Sequence, residues 1–156
     1  MKIYRLEAHQ NLPISQQEAW DFLSDPRNLK TITPDYMGFK ILSGAATKMY
    51  AGQIIQYIVT PLMNIPMKWV TEITHVQEGE YFVDEQRFGP YSLWHHKHFI
   101  KPIKNGVEMI DIVDYKIPLG LLGQIVHPFL VGPKLKEIFE YRKNALNSIF
   151  GKYKEQ

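Results

Sequence analysis

The stretch Pro133-Lys134-Leu135-Lys136-Glu137-Ile138-Phe139-Glu140-Tyr141-Arg142-Lys143-Asn144-Ala145-Leu146-Asn147-Ser148-Ile149-Phe150 decides the fold. Leu135, Ile138, Phe139, Leu146, Ile149 and Phe150 recur at helical spacing, which predicts one apolar stripe on a long amphipathic helix. Lys134, Lys136, Glu137, Glu140, Lys143 and Asn147 fall on the other side. Arg142 breaks the pattern: at ~100° per residue it lies within the stripe, between Phe139 and Leu146. A guanidinium keeps its proton, so an arginine turned toward a core needs an acceptor there.

A stripe this wide needs a partner surface, and the preceding residues supply one. Residues 2–11 alternate apolar with polar and read as a strand rather than a signal peptide. Ser15 and Glu18 form a capping-box pattern at the start of a helix that buries Ala19, Trp20, Phe22 and Leu23. Asp25-Pro26 opens a second short helical turn that ends at Thr33-Pro34. Strands are then expected at Phe39–Leu42, Gln53–Thr60, Met67–Val76, Tyr81–Phe88, Tyr91–Lys104 and Val107–Ile117. Turn signals separate them at Ala51-Gly52, Gln77-Glu78-Gly79, Gly89-Pro90 and, most strongly, Asn105-Gly106. Tight turns between successive strands predict an antiparallel meander. The fold class is α+β: a curved antiparallel sheet of about seven strands, two short helices after the first strand, and the long C-terminal helix across the concave face.

Composition bounds the function. The 156 residues, without a linker or repeat, are expected to form a single domain over 1–156. A net charge of +2 with no basic stripe argues against nucleic acid. No cysteine is present, which removes disulfides, thiolate metal sites and a thiol nucleophile and suits a reducing cytoplasm. The most apolar segment, Ile117–Gly132, is broken by prolines and glycines and does not read as a membrane span. It reads as a gate over a cavity mouth or a patch that touches lipid, and equally well as a buried connector packing the sheet edge.

Period-two sorting of the strands gives an unusual inner face. One side of Tyr81–Phe88 carries Phe82, Asp84, Gln86 and Phe88; one side of Tyr91–Lys104 carries Trp94, His96, His98 and Ile100. In the last strand Met109, Asp111, Val113, Tyr115 and Ile117 share a side. With these sets inward, Asp84, Gln86, His96, His98, Asp111 and Tyr115 face Arg142. Unpaired polar groups in a packed core cost roughly 1–3 kcal/mol each. The cluster must therefore satisfy itself or border a cavity.

The residues resemble the START-related helix-grip superfamily (SRPBCC), which includes polyketide-cyclase-like and coenzyme-Q-binding START-like proteins. The resemblance runs through Leu12-Pro13-Ile14-Ser15 and Trp20-Asp21-Phe22-Leu23-Ser24-Asp25-Pro26-Arg27-Asn28-Leu29. It continues in Phe82-Val83-Asp84-Glu85-Gln86, Trp94-His95-His96-Lys97-His98, Asp111-Ile112-Val113-Asp114-Tyr115 and Phe139-Glu140-Tyr141-Arg142. These blocks are similar to a bacterial ligand-binding subgroup of uncharacterised function, with a cell-division-inhibitor-like label. The resemblance implies a hydrophobic cavity between sheet and final helix and names no ligand. Ile100 departs from the aromatic usual there.

The expected function is binding, in transport or sensing, of a small hydrophobic molecule or lipid with one polar end. The expected ligand-binding residues are Asp84, Gln86, Trp94, His96, His98, Asp111, Tyr115, Leu135, Phe139 and Arg142. Arg142 either clamps a ligand group or pairs internally with Asp84 or Asp111. His96 and His98 with Asp111 also have the make-up of a general base or a metal site, but no nucleophile and no third histidine accompany them, so no catalytic residue, metal or cofactor is assigned. A lipid carrier and a partner-binding regulator remain alternatives, and oligomeric state is not encoded legibly.

Overall fold

The N-terminal alternation becomes β1 (Tyr4–Leu12), an edge strand paired antiparallel with the last strand, β7 (Gly106–Lys116). The computed structural model describes residues 2–60, 65–118, 120, 123 and 127–154. Between these strands lie β2 (Lys40–Ser43), β3 (Gln53–Val59), β4 (Met67–Gln77), β5 (Tyr81–Phe88) and β6 (Leu93–Ile103). The sheet order is β1-β7-β6-β5-β4-β3-β2, so every pair but β1–β7 is a sequential meander step. Helix α1 (Gln16–Leu23) carries the anticipated capping box, with Ser15 and Glu18 satisfying each other's backbone N–H. A 3-10 helix, Pro26–Ile32, starts from an Asp25 cap with Pro26 in its first turn. Helix α2 (Gly132–Phe150) follows a π-helical turn at His127–Val131 and covers the concave face. The architecture is the helix-grip fold. No described helix is long and apolar enough to cross a membrane. The middle of the anticipated gate, residues 119, 121, 122 and 124–126, lies outside the described residues.

Two apolar clusters fill the space between sheet and helix. One joins Tyr57, Trp69, Trp94, Val113 and Tyr115 to Leu135. The other joins Leu12, Trp20, Phe82, Ile100, Val107 and Met109 to Leu146. Arg142 sits between Leu135 and Leu146 on the helix, as Asp111 sits between Val113 and Met109 on β7. His96 and His98 likewise lie between Trp94 and Ile100 on β6. A charged belt therefore crosses an otherwise hydrophobic core.

Several expectations need correction. Phe88 is 71% exposed and Ile149 is 42% exposed, so neither belongs to the inner face assigned to it. Phe88 lies at the end of β5, where the β4–β5 pairing shifts register and the alternation loses phase. The left-handed residue of the β6–β7 turn is Asn105 (φ 59°), and Gly106 already belongs to β7. Gly106 is needed for another reason: a Cβ there would stand 2.1 Å from the Leu12 carbonyl oxygen, so only glycine lets β1 close on β7. Phe22 is half-buried and meets Phe150 edge-on with ring centres 5.1 Å apart.

Candidate functional site

Strand register assembles the belt. His98 stands opposite Asp111 across β6–β7, and His96 opposite Asp84 across β5–β6. His96, His98, Asp111 and Arg142 are all buried. His96 Nε2 hydrogen-bonds Asp111 Oδ1 at 3.0 Å, and His98 Nε2 bonds Asp84 Oδ2 at 2.8 Å. The remaining nitrogens also face carboxylates: His96 Nδ1 lies 3.5 Å from Asp84 Oδ2, and His98 Nδ1 lies 2.8 Å from Asp111 Oδ1. The last contact is off the N–H line, a charge contact rather than a hydrogen bond. The His98 ring stacks on Phe82 at 4.1 Å.

Arg142 completes the belt loosely. Its Nη2 is 3.4 Å from Asp111 Oδ1, beyond a good charge-assisted bond, and its buried Nε has no hydrogen-bond partner. The internal ion pair exists, but it does not use up the guanidinium's five donors.

Burial opposes charge on every member, and the neighbours decide the outcome. Against burial, His98 and the coulombic fields of His96 and Arg142 hold Asp84 below the ordinary carboxylate range. Burial opposes Asp111 in the same way, yet Arg142 and both imidazoles hold it well below. Burial would also lower His98, but its contacts with Asp111 and Asp84 win and raise it. Burial and the neighbouring His98 together lower His96. The shifts thus favour ionised Asp84 and Asp111 and place a shared imidazole proton on His98 ahead of His96.

One side of the belt faces a cavity of about 180 Å³ between sheet, 3-10 helix and α2. Asp84, Trp94, His96, His98, Leu135, Phe139 and Arg142, seven of the expected residues, line it. Three expected residues are placed elsewhere. Asp111 lies behind the imidazoles and opens onto a groove of about 540 Å³ between β1 and α2. Tyr115 shares that groove and bonds His127 Nε2 at 2.7 Å. Gln86 is not among the lining residues: its amide binds the N–H and carbonyl of Tyr91 (3.1 and 2.6 Å), bracing the β5–β6 connection. Phe139 and Arg142 border both spaces.

Sequence reasoning missed the opposite wall. Ile55, Tyr57, Trp69 and Thr71 line the cavity from β3 and β4. There Thr71 Oγ1 accepts from Trp69 Nε1 at 3.0 Å and shares a 2.7 Å bond with the Tyr57 hydroxyl. The alternation of Gln53–Val59, with Gln53, Ile55, Tyr57 and Val59 buried, was the available signal.

Donor atoms of Asp84, His96 and His98 lie within 4.8 Å of one another, close enough to ask whether they hold a metal ion. They fit one poorly. His98 bonds Asp84 directly at 2.8 Å, and the Arg142 charge acts on the same carboxylate. A dication would have to displace that bond and sit beside a guanidinium.

No protein-family model and no curated protein sequence matches the chain. Solved structures do, at low identity. A protein from Chromobacterium violaceum superposes with a TM-score of 0.70 at 16% identity, covering 96% of this chain and 99% of that one. A protein from Thermus thermophilus gives 0.69 at 12% identity, over 93% and 95%. Major latex-like protein 151 from Panax ginseng gives 0.67 at 8% identity, over 95% and 97%. The likeness extends over more than nine-tenths of the chain and establishes the shared fold.

Proposed function

We propose that this chain binds a compact, largely apolar molecule in the cavity beneath α2, with one polar end turned to Arg142. The observation that carries this reading is a buried arginine, incompletely hydrogen-bonded, on the wall of a mainly apolar cavity. Aromatic and aliphatic walls supply affinity, at ~0.8 kcal/mol for each buried CH₂. An apolar protein cavity of roughly 150 Å³ takes up benzene, so about 180 Å³ suits a ring-sized ligand better than a long acyl chain. The lipid-carrier and polyketide-cyclase-like readings are correspondingly weaker. Catalysis by His96 or His98 has less support than binding, because each ring is hydrogen-bonded to one carboxylate and its second nitrogen lies against the other.

Native mass spectrometry of freshly purified protein tests the reading. A ligand of defined mass, released on denaturation, is expected. Protein at the bare chain mass that also fails to take up any single-ring titrant would end it.

A further inference from the structure

Two carboxylates and one guanidinium leave the belt with one excess negative charge. A single proton on the paired imidazoles would supply the missing positive charge. They do not readily hold two, since their ring centres are 3.7 Å apart and like charges at that range repel strongly in a buried site. The other titratable groups on the cavity wall add no charge. Asp25 is paired with Arg27 at 2.6 Å, and burial keeps the Tyr57 and Tyr91 phenols neutral. With that proton in place the belt is balanced before any ligand enters, yet the buried Nε–H of Arg142, a residue of the cavity wall, still lacks a hydrogen-bond partner.

We infer that the cavity selects an uncharged ligand whose polar end is a hydrogen-bond acceptor, a ketone, amide or ester carbonyl, held by the Arg142 guanidinium. This rests on the binding function proposed above and narrows it. A carboxylate would add an uncompensated buried charge unless it carried in a second imidazole proton. An ammonium would face the guanidinium. A pure hydrocarbon would fill the space but leave that donor unpaired.

Three single-ring probes separate the possibilities: acetophenone, ethylbenzene and benzoate, titrated by calorimetry at pH 7. Acetophenone is expected to bind roughly tenfold or more tightly than ethylbenzene, as a hydrogen bond to a charged donor warrants, and benzoate more weakly than either. In ¹H–¹⁵N spectra the Arg142 Nε–H resonance, assigned by its loss in Arg142→Lys, should move with acetophenone and stay in place with ethylbenzene. Equal binding of acetophenone and ethylbenzene, tightest binding by benzoate, or an Nε–H signal indifferent to bound acetophenone would overturn the inference and leave the binding function standing. Failure of all three to bind would end both.

Discussion

The imidazoles of His96 and His98 lie with ring centres 3.7 Å apart, and each is directed at the same two carboxylates, Asp84 and Asp111. Two equivalent side chains on one strand thus acquire opposite titration behaviour. The acids win over burial and raise His98, while burial and the neighbouring His98 lower His96.

Their opposed shifts predict a stability optimum near the ordinary imidazole pKa of ~6.5. From there up to the raised value of His98, the folded state binds a proton that the unfolded state has released, so stability falls as pH rises. From there down to the lowered value of His96, the unfolded state binds the extra proton, so stability falls as pH drops. Below pH ~4 protonation of Asp84 and Asp111, both lowered in the folded state, deepens the loss. Thermal melts across pH 4–9 should flatten on the alkaline side in His98→Gln and on the acid side in His96→Gln. His9, raised by Glu108 and Glu7 on the exposed face of β1, needs a parallel His9→Gln control.

Arg142→Leu should be strongly destabilising, by about 3–5 kcal/mol, because it strands a buried carboxylate rather than because the pair is worth that much. Combining it with Asp111→Asn should restore part of the loss. Urea unfolding of the two single variants and the double variant measures the coupling, and strict additivity would mean that the 3.4 Å contact carries no energy.

Phe139→Ala should join the cavity to the groove, since its ring borders both. The phenyl is half-buried, so the expected cost is ~2 kcal/mol, below the 3–5 typical of a fully buried ring. Affinity for a two-ring probe such as naphthalene should rise at least tenfold in calorimetry, while unchanged affinity would mean that another group divides the two spaces.

Gly106→Ala should loosen β1 from β7. The added methyl would overlap the Leu12 carbonyl, and relieving the overlap should cost ~1–3 kcal/mol. Amide exchange should accelerate in Tyr4–Leu12 ahead of the central strands. Uniform acceleration would show that the edge is not a separate unit.

Arg142 was legible because a cation inside an apolar stripe contradicts its surroundings. His96, His98 and Asp111 were legible because period-two alternation sorts a strand without knowing its neighbours. What stayed hidden depended on pairing. Nothing local says that His98 meets Asp84 rather than Asp111 in its hydrogen bond, since that follows from register across three strands. Gln86 kept phase with Asp84 along the strand, yet its amide was drawn to the Tyr91 backbone next to the Gly89-Pro90 turn. Ile149 obeyed the helical period but lies in the last turn of α2, where its side chain is exposed.

Pairing Tyr4 with Tyr115 makes the first strand wait for the last. On the ribosome, β1 emerges early and has no hydrogen-bonding partner on that side until β7 arrives, and Arg142 follows later still. Such long-range closure is slow, and a nascent chain halted after β6 would expose His96 and His98 without Asp111 or the guanidinium to neutralise them. Any shortened form of this polypeptide ending before α2 is therefore expected to depend on chaperones rather than to fold unaided.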